Sequence, residues 1–450
     1  MIKLAPLAEE LNQIINNANP AVFDLLSEKG KAIYFPKAGI LGQSAEAKGK
    51  RINATIGIGL NDDGSPIRLE SIAKLVNLPP ADVFPYAPGY GKPELRKKWQ
   101  ELIREKNSSL KTEISLPVAT NALTNGLSLA GYLFVNPGDR IICADRFWGT
   151  YRLIFENGYG GELATFNTFK DDGFDLATFR DTLSLKSNHS SNAKAPASPA
   201  SGSENKKIVL LNFPNNPSGY SLTEAEARAI VEIIRERAEA GDRLVVLVDD
   251  AYFGLVYEDG IFKESLFALL ADLHPNVLAV KIDGPTKEDY VWGLRVGFLT
   301  YAIKDGTPEL YQALADKTAG AVRGNISNVS NLSQSLVLAG LNSPDYAKEK
   351  QEKFELLKSR YLAVKETLSD PKYAECFTPL PYNSGYFMCL KLAAGLDGDA
   401  IRKILLNKYD TGVISLKDSL RIAFSSVATD KIPELIENIY QACLEFNKSK

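Results

Sequence analysis

The sequence predicts a doubly wound α/β fold, a mostly parallel sheet covered by helices, with a second, smaller α+β domain. Three observations carry this. The runs RIICAD (140–145), KKIVLLNFP (206–214), RLVVLVDD (243–250) and NVLAVKID (276–283) are apolar throughout, as buried strands of a covered parallel sheet must be. Helical patterns lie between such runs. After about residue 325 the pattern changes to a long polar helix, then short strands and a closing helix.

Taken in order, ISLPVAT (114–120) reads as a strand and LTNGLSLAGYLFV (123–135) as a helix that stops at NPGD. Strand RIICAD follows. Residues 184–206, SLKSNHSSNAKAPASPASGSENK, have almost no large apolar side chain; this composition cannot form a core and predicts an exposed, mobile insertion. In LTEAEARAIVEIIRERAEAG (222–241), Thr223 and Glu226 make a capping box and Gly241 closes the helix. DYAKEKQEKFELLKSRYLAVKETL (345–368) is the long polar helix. The expected division is an N-terminal arm that also serves the small domain (1–50), a large domain (51–325) and a small C-terminal domain (326–450).

Composition excludes several functions. A net charge of −3, with no basic run carrying interleaved aromatics, argues against nucleic acid as a partner. No stretch of 18 apolar residues exists to span a membrane. The N-terminal MIKLAPLAEELNQIINNANP lacks the apolar segment of a signal peptide. Cys143, Cys376, Cys389 and Cys443 show no C-x-x-C spacing, which predicts reduced thiols, a cytoplasmic location and no metal site. His189 lies in the low-complexity stretch and His274 precedes a proline, so neither reads as a catalytic base. Hydrolysis by a Ser–His–Asp or Cys–His arrangement is thereby improbable. A lysine with a lowered pKa is the natural substitute for near-neutral proton transfer.

DGPTKEDYVWGLRVGF (283–298) offers that lysine, Lys287, just past a strand broken by Gly284 and Pro285. Alone it reads as a solvated surface residue. However, Asp249 also falls at a strand's carboxyl end, where ligands bind on such sheets. TNALTNGL (120–127) opens a helix with small and hydroxyl residues, suiting an anion at its free amides. DRFWGTY (145–151) puts Trp148 past a strand end, FPNNPSG (213–219) carries Asn216, and VDDAYFG (248–254) carries Asp249 and Tyr252. Each signal alone is weak.

Their order along the chain, from Tyr86 in YAPGYG to Arg421 in DSLRIAF, resembles the fold-type-I pyridoxal-phosphate enzymes, specifically the class I/II aminotransferases. The resemblance implies pyridoxal 5'-phosphate as cofactor and an exchange of the amino group between an amino acid and a 2-keto acid. It implies that Lys287 forms the Schiff base and later acts as the base, and that Asp249 holds the ring nitrogen protonated. Asn216 and Tyr252 would bond the phenolic oxygen, and Trp148 would lie on the ring face. Ala122, Leu123, Thr124, Thr286 and Arg295 would hold the phosphate. Tyr86 would reach the neighbouring subunit's cofactor, which implies a homodimer with shared sites. Arg421 would grip the substrate α-carboxylate. Gly57 and Gly59, in GIGLNDDG (57–64), are expected to allow close backbone approach to substrate, since no helix follows them to make a dinucleotide loop. Arg323, in AVRGNISNVS (321–330), is similar to the arginine that aspartate-type enzymes send into the partner's site, which suggests glutamate as donor; the alternative is an interface arginine. Two departures stand out: Gly284 where a hydroxyl residue is usual, and Leu123 where a small residue is. A lyase or decarboxylase on the same fold is the alternative reaction; an effector-sensing domain would need a DNA-binding segment.

Overall fold

The computed structural model describes residues 4–18, 20–26, 28–33, 39–75, 78–185, 205–416 and 418–448. Most of the expected insertion, 186–204 with His189, lies outside them.

The core is a seven-stranded sheet of β1 (Val118–Thr120), β2 (Arg140–Ala144), β3 (Glu162–Phe166), β4 (Lys206–Asn212), β5 (Arg243–Asp249), β6 (Val277–Asp283) and β7 (Gly297–Ala302). Their spatial order is β1-β7-β6-β5-β4-β2-β3. Pairing is parallel from β6 through β3, whereas β7 runs antiparallel to both β6 and β1. Strands β4 to β7 are buried along nearly all their length, which explains their unbroken apolar sequences.

Helices cover both faces. On one, α1 (Pro93–Lys106) lays Trp99 on Phe298 with ring centroids 4.7 Å apart. On the other, α2 (Ala122–Phe134) presents Leu123 and Leu127 to the core. Helix α3 (Glu224–Glu239) has the expected capping box: Thr223 Oγ1 accepts from the Glu226 amide, and Glu226 accepts from the Thr223 amide. Helix α4 (Pro308–Asn325) follows β7, and α5 (Asn331–Leu341) leads into the long α6 (Tyr346–Leu368).

A second, antiparallel sheet of four strands has the order β8-β9-β11-β10, from β8 (Phe377–Pro379), β9 (Phe387–Leu392), β10 (Ile414–Leu416) and β11 (Ser419–Ala423). Helix α7 (Ile432–Lys448) closes the chain. Residues from the N-terminal quarter join this region: Ile52 and Asn53 pair with Thr411 and Gly412, and Gln43 bonds the backbone of Ser415 in both directions.

Candidate active site

The carboxyl ends of β4, β5 and β6 gather the candidate groups. Asn212 and Asp249 are register partners at the last residues of β4 and β5, and the Asn212 amide donates to the Asp249 carbonyl at 2.8 Å. The Asp249 side chain is 3% exposed. Its Oδ2 accepts from the Tyr151 hydroxyl and its Oδ1 from the Ala251 amide at 3.2 Å. Burial pushes this carboxyl up to about 6, against the Tyr151 hydrogen bond and the charge of Lys287. Two other buried acids nearby, Asp250 and Asp283, share Lys281 as counter-ion. Among the described residues Asp249 makes no ion pair, so one buried carboxylate is left for an outside cation.

Lys287, just past the broken strand, lies on the single helical turn Pro285–Glu288, because Pro285 at N1 starts a turn as readily as it ends a strand. Its Nζ sits 5.0 Å from the centre of the Tyr252 ring, and its carbonyl accepts from Tyr386 at 2.8 Å. Burial pulls the amine down to about 8; Asp249 opposes this and Arg295 adds to it. The next two residues anchor the turn. Glu288 pairs with Lys106 of α1 at 2.7 Å and Lys350 of α6 at 2.6 Å, and Asp289 pairs with Lys350 at 2.8 Å.

Arg421, on β11, is buried with its guanidinium 4.3 Å from the centre of Phe387. It donates to Asn216 Oδ1 at 3.4 Å and to the Thr55 carbonyl at 3.1 Å. Its buried Nε has no partner among the described residues. Asn216 is itself held by a 2.9 Å bond from its amide to Asn212. The structure therefore joins Asp249, Tyr252, Lys287, Asn216 and Arg421 in one neighbourhood.

At the other end of the neighbourhood, α2 begins without a side-chain cap, so its first-turn amides have no partner within the helix. Ala122 takes a left-handed φ of 59° there. Leu123 is buried in the core while Thr124 is half-buried, so Leu123 can offer only its backbone. The buried Thr286 hydroxyl donates to the Val296 carbonyl at 3.4 Å. Gly284 now has a reason. A Cβ there would stand 2.8 Å from both Gly297 Cα and the Val296 carbonyl, so the close strand crossing forbids the usual hydroxyl residue. Arg295 is exposed and left-handed, with Nη1 on the Trp292 carbonyl at 3.2 Å.

The other expected residues lie at or beyond the edge of this neighbourhood. Tyr86 is 90% exposed. Arg323 is exposed and donates to Ser327 Oγ at 2.8 Å, with no ion pair among the described residues. Gly59 is buried, and a Cβ on it would meet Ile67 at 2.9 Å, so its smallness already serves the fold; Gly57 is exposed beside Phe387. Half-buried Trp148 is at the rim, edge-on to Tyr151 at 5.8 Å. Sequence reasoning missed Tyr151, Tyr386 and Phe387. Only Tyr151 had a visible signal, one turn after Trp148 in DRFWGTY.

A buried acid with no ion pair among the described residues, a lysine with a depressed pKa and an uncapped helix N-terminus lie together at the carboxyl edge of one sheet, an arrangement that suits a cofactor carrying a basic ring nitrogen, an aldehyde and a phosphate. Residues 56–439 match the family aminotransferase class I and II, and the chain belongs to it. The cofactor and enzyme class expected from the sequence, pyridoxal 5'-phosphate and a transaminase, are those of this family, and the match does not favour a lyase or decarboxylase. A solved aminotransferase from Anaerococcus prevotii is 25% identical, with a TM-score of 0.79 over 93% of this chain and 98% of that one. A probable aspartate/prephenate aminotransferase of Aquifex aeolicus is 25% identical over 80% of this chain and 84% of that protein. An aspartate aminotransferase of Rhizobium meliloti is 28% identical over 59% of this chain; the match spans only 56% of that protein. No helix among the described residues is long and apolar enough to cross a membrane, and no cluster there could hold a metal ion.

Proposed function

We propose that the protein transfers the amino group of an amino acid, glutamate in the first instance, to a 2-keto acid, working as a cytoplasmic homodimer with pyridoxal 5'-phosphate. The observation that carries the chemistry is Asp249, buried with no ion pair among the described residues, beside Lys287, whose amine burial pulls down to about 8. The bound cofactor supplies an aldehyde for a primary amine and an electron sink for the carbon next to it.

The chain's own residues divide the remaining work. Asp249 holds a proton on the ring nitrogen. Tyr252, pushed upward by burial, stays protonated and can donate to the phenolic oxygen. Lys287 Nζ, close to half-deprotonated at pH 8, can take the proton from the substrate α-carbon and return it. Arg421, set rigidly by Asn216, Thr55 and Phe387, presents a planar fork to the α-carboxylate. The first amides of α2 from Ala122 to Thr124, with Thr286 and Arg295, are the phosphate cradle.

Tyr86 supports the dimer: a tyrosine this exposed, next to Phe84 at 82%, is unusual on a surface that stays wet. The free, buried cysteines support a reducing compartment. Arg323 supports a dicarboxylic donor because it is exposed and lacks a carboxylate of its own among the described residues. The test compares catalytic efficiency for glutamate and for an aromatic amino acid in the wild type and in Arg323→Ala. A loss confined to glutamate is expected; equal losses would leave Arg323 a structural residue and remove the dicarboxylate reading.

A further inference from the structure

We propose that Tyr151 is a positioning residue that holds the Asp249 carboxylate ionised and aimed at the cofactor ring nitrogen, and braces Trp148 at the same time. This rests on the reading of the pocket as a pyridoxal-phosphate site. Four contacts converge on Tyr151. Its hydroxyl donates to Asp249 Oδ2, the single side-chain hydrogen bond that Asp249 receives among the described residues. Its ring receives Trp148 edge-on, at 5.8 Å and 82°. It is only 1% exposed, wedged between Phe147 at 6.3 Å and Phe155 at 6.2 Å.

The backbone is arranged to keep it there. A π-helical segment, Arg152–Gly158, begins at the next residue, and such wide turns concentrate at functional positions. The segment is anchored from the N-terminal region, where Asn157 donates to the Ala32 carbonyl at 2.9 Å and Lys29 lies over the ring of Tyr159.

The chemical need is clear from what surrounds Asp249. The ionisable groups facing it are Tyr151, Lys287, Asp250 and Tyr252, with Cys143 facing the Tyr151 phenol. Asp250 raises the cost of its charge, and burial raises it more. The nearby charge of Lys287 is an unsteady support, because its task requires it to lose its proton. Tyr151 is a neutral donor, and burial pushes its own ionisation far upward, so it supports the carboxylate without surrendering a proton. Each carboxylate oxygen accepts one bond and keeps a lone pair for the ring nitrogen. Without the donor the carboxylate would become the stronger base and draw the proton off the ring.

The experiment loads apo protein with cofactor labelled with 15N in its ring and reads the nitrogen chemical shift from pH 6 to 9, with cofactor affinity and steady-state kinetics alongside. Tyr151→Phe keeps the ring and removes the donor. It should move the shift toward unprotonated pyridine, weaken cofactor binding about tenfold and lower kcat about 10- to 100-fold, the KM for amino acid staying within about twofold. A Tyr151→Phe protein with the wild-type shift and affinity would overturn the proposal. If that variant fails to fold, 3-fluorotyrosine at 151, nearly isosteric and a stronger donor, should keep the protonated-ring shift; losing it would show packing, rather than donation, at work. Asp249→Asn separates the two levels: if it leaves the ring-nitrogen shift unchanged, the site reading itself falls.

Discussion

Burial of Asp249 with no ion pair among the described residues is the residue-scale fact on which the proposed site turns. For Asp249 the sign follows from the direction of its pKa. The folded state raises it from 3.8 to about 6, so folding takes up a proton between those values and stability falls as pH rises through them. At neutral pH the ionised group costs the empty protein about 3 kcal/mol. Asp249→Asn in cofactor-free protein should therefore raise the urea midpoint at pH 7.5, leave it nearly unchanged at pH 4, and nearly abolish turnover in cofactor-loaded protein. A variant less stable than wild type at pH 7.5 would contradict this account. Lys287 gives a covalent readout. Borohydride reduction of cofactor-loaded protein should fix the label to the peptide carrying Lys287, and a label on another lysine would remove its assignment. Lys287, Asp249 and Asn216 stood out in the sequence because each follows or ends a strong apolar run, whereas Arg421, in the middle of β11, stood out only through the resemblance. For Tyr151 the sequence offered only a place one turn after Trp148, and for Phe387 nothing, because their contribution is a contact across about 100 and 30 residues of chain to Asp249 and Arg421, a distance that only folding closes.

At the scale of elements, the long apolar strands and the capped helix were legible, since both depend on nearest neighbours in sequence. β7 was not. Its sequence VGFLTYA resembles its neighbours, and nothing local says that it runs the other way. Its direction nonetheless fixes the site, because the antiparallel β6–β7 crossing places Gly297 against Ala122 and Val296 against Gly284. Restoring the family's hydroxyl with Gly284→Ser should thus be harmful. The new Cβ needs a backbone shift, costing about 1–3 kcal/mol, and the shift would open the cradle as well. Both a lower melting temperature and weaker cofactor binding are expected; tighter binding in a protein of unchanged stability would refute the steric argument. At α3, Thr223→Ala removes one half of the capping box and should cost about 1 kcal/mol in denaturant unfolding with no effect on KM.

For the whole molecule, the proposed shared site makes assembly and activity inseparable. Sedimentation should find a dimer wherever there is activity, and Tyr86→Ala should weaken cofactor retention without unfolding the subunit; a fully active monomer would exclude a shared site. Within one subunit, α6 has a further consequence. This helix is roughly 34 Å long, and near its start Lys350 clasps Glu288 and Asp289, directly after Lys287. Ten residues on, buried Arg360 binds the Ser425 carbonyl at 2.5 Å, four residues past Arg421, and Asp62 at 2.9 Å. A single stiff rod thus touches the turn that carries Lys287 and the segment that follows Arg421, and would act as a gauge block between the amine and the proposed carboxylate clamp. On the proposed roles, the span between amine and carboxylate is a machined length, held by one helix that ties a helical turn to the end of a strand.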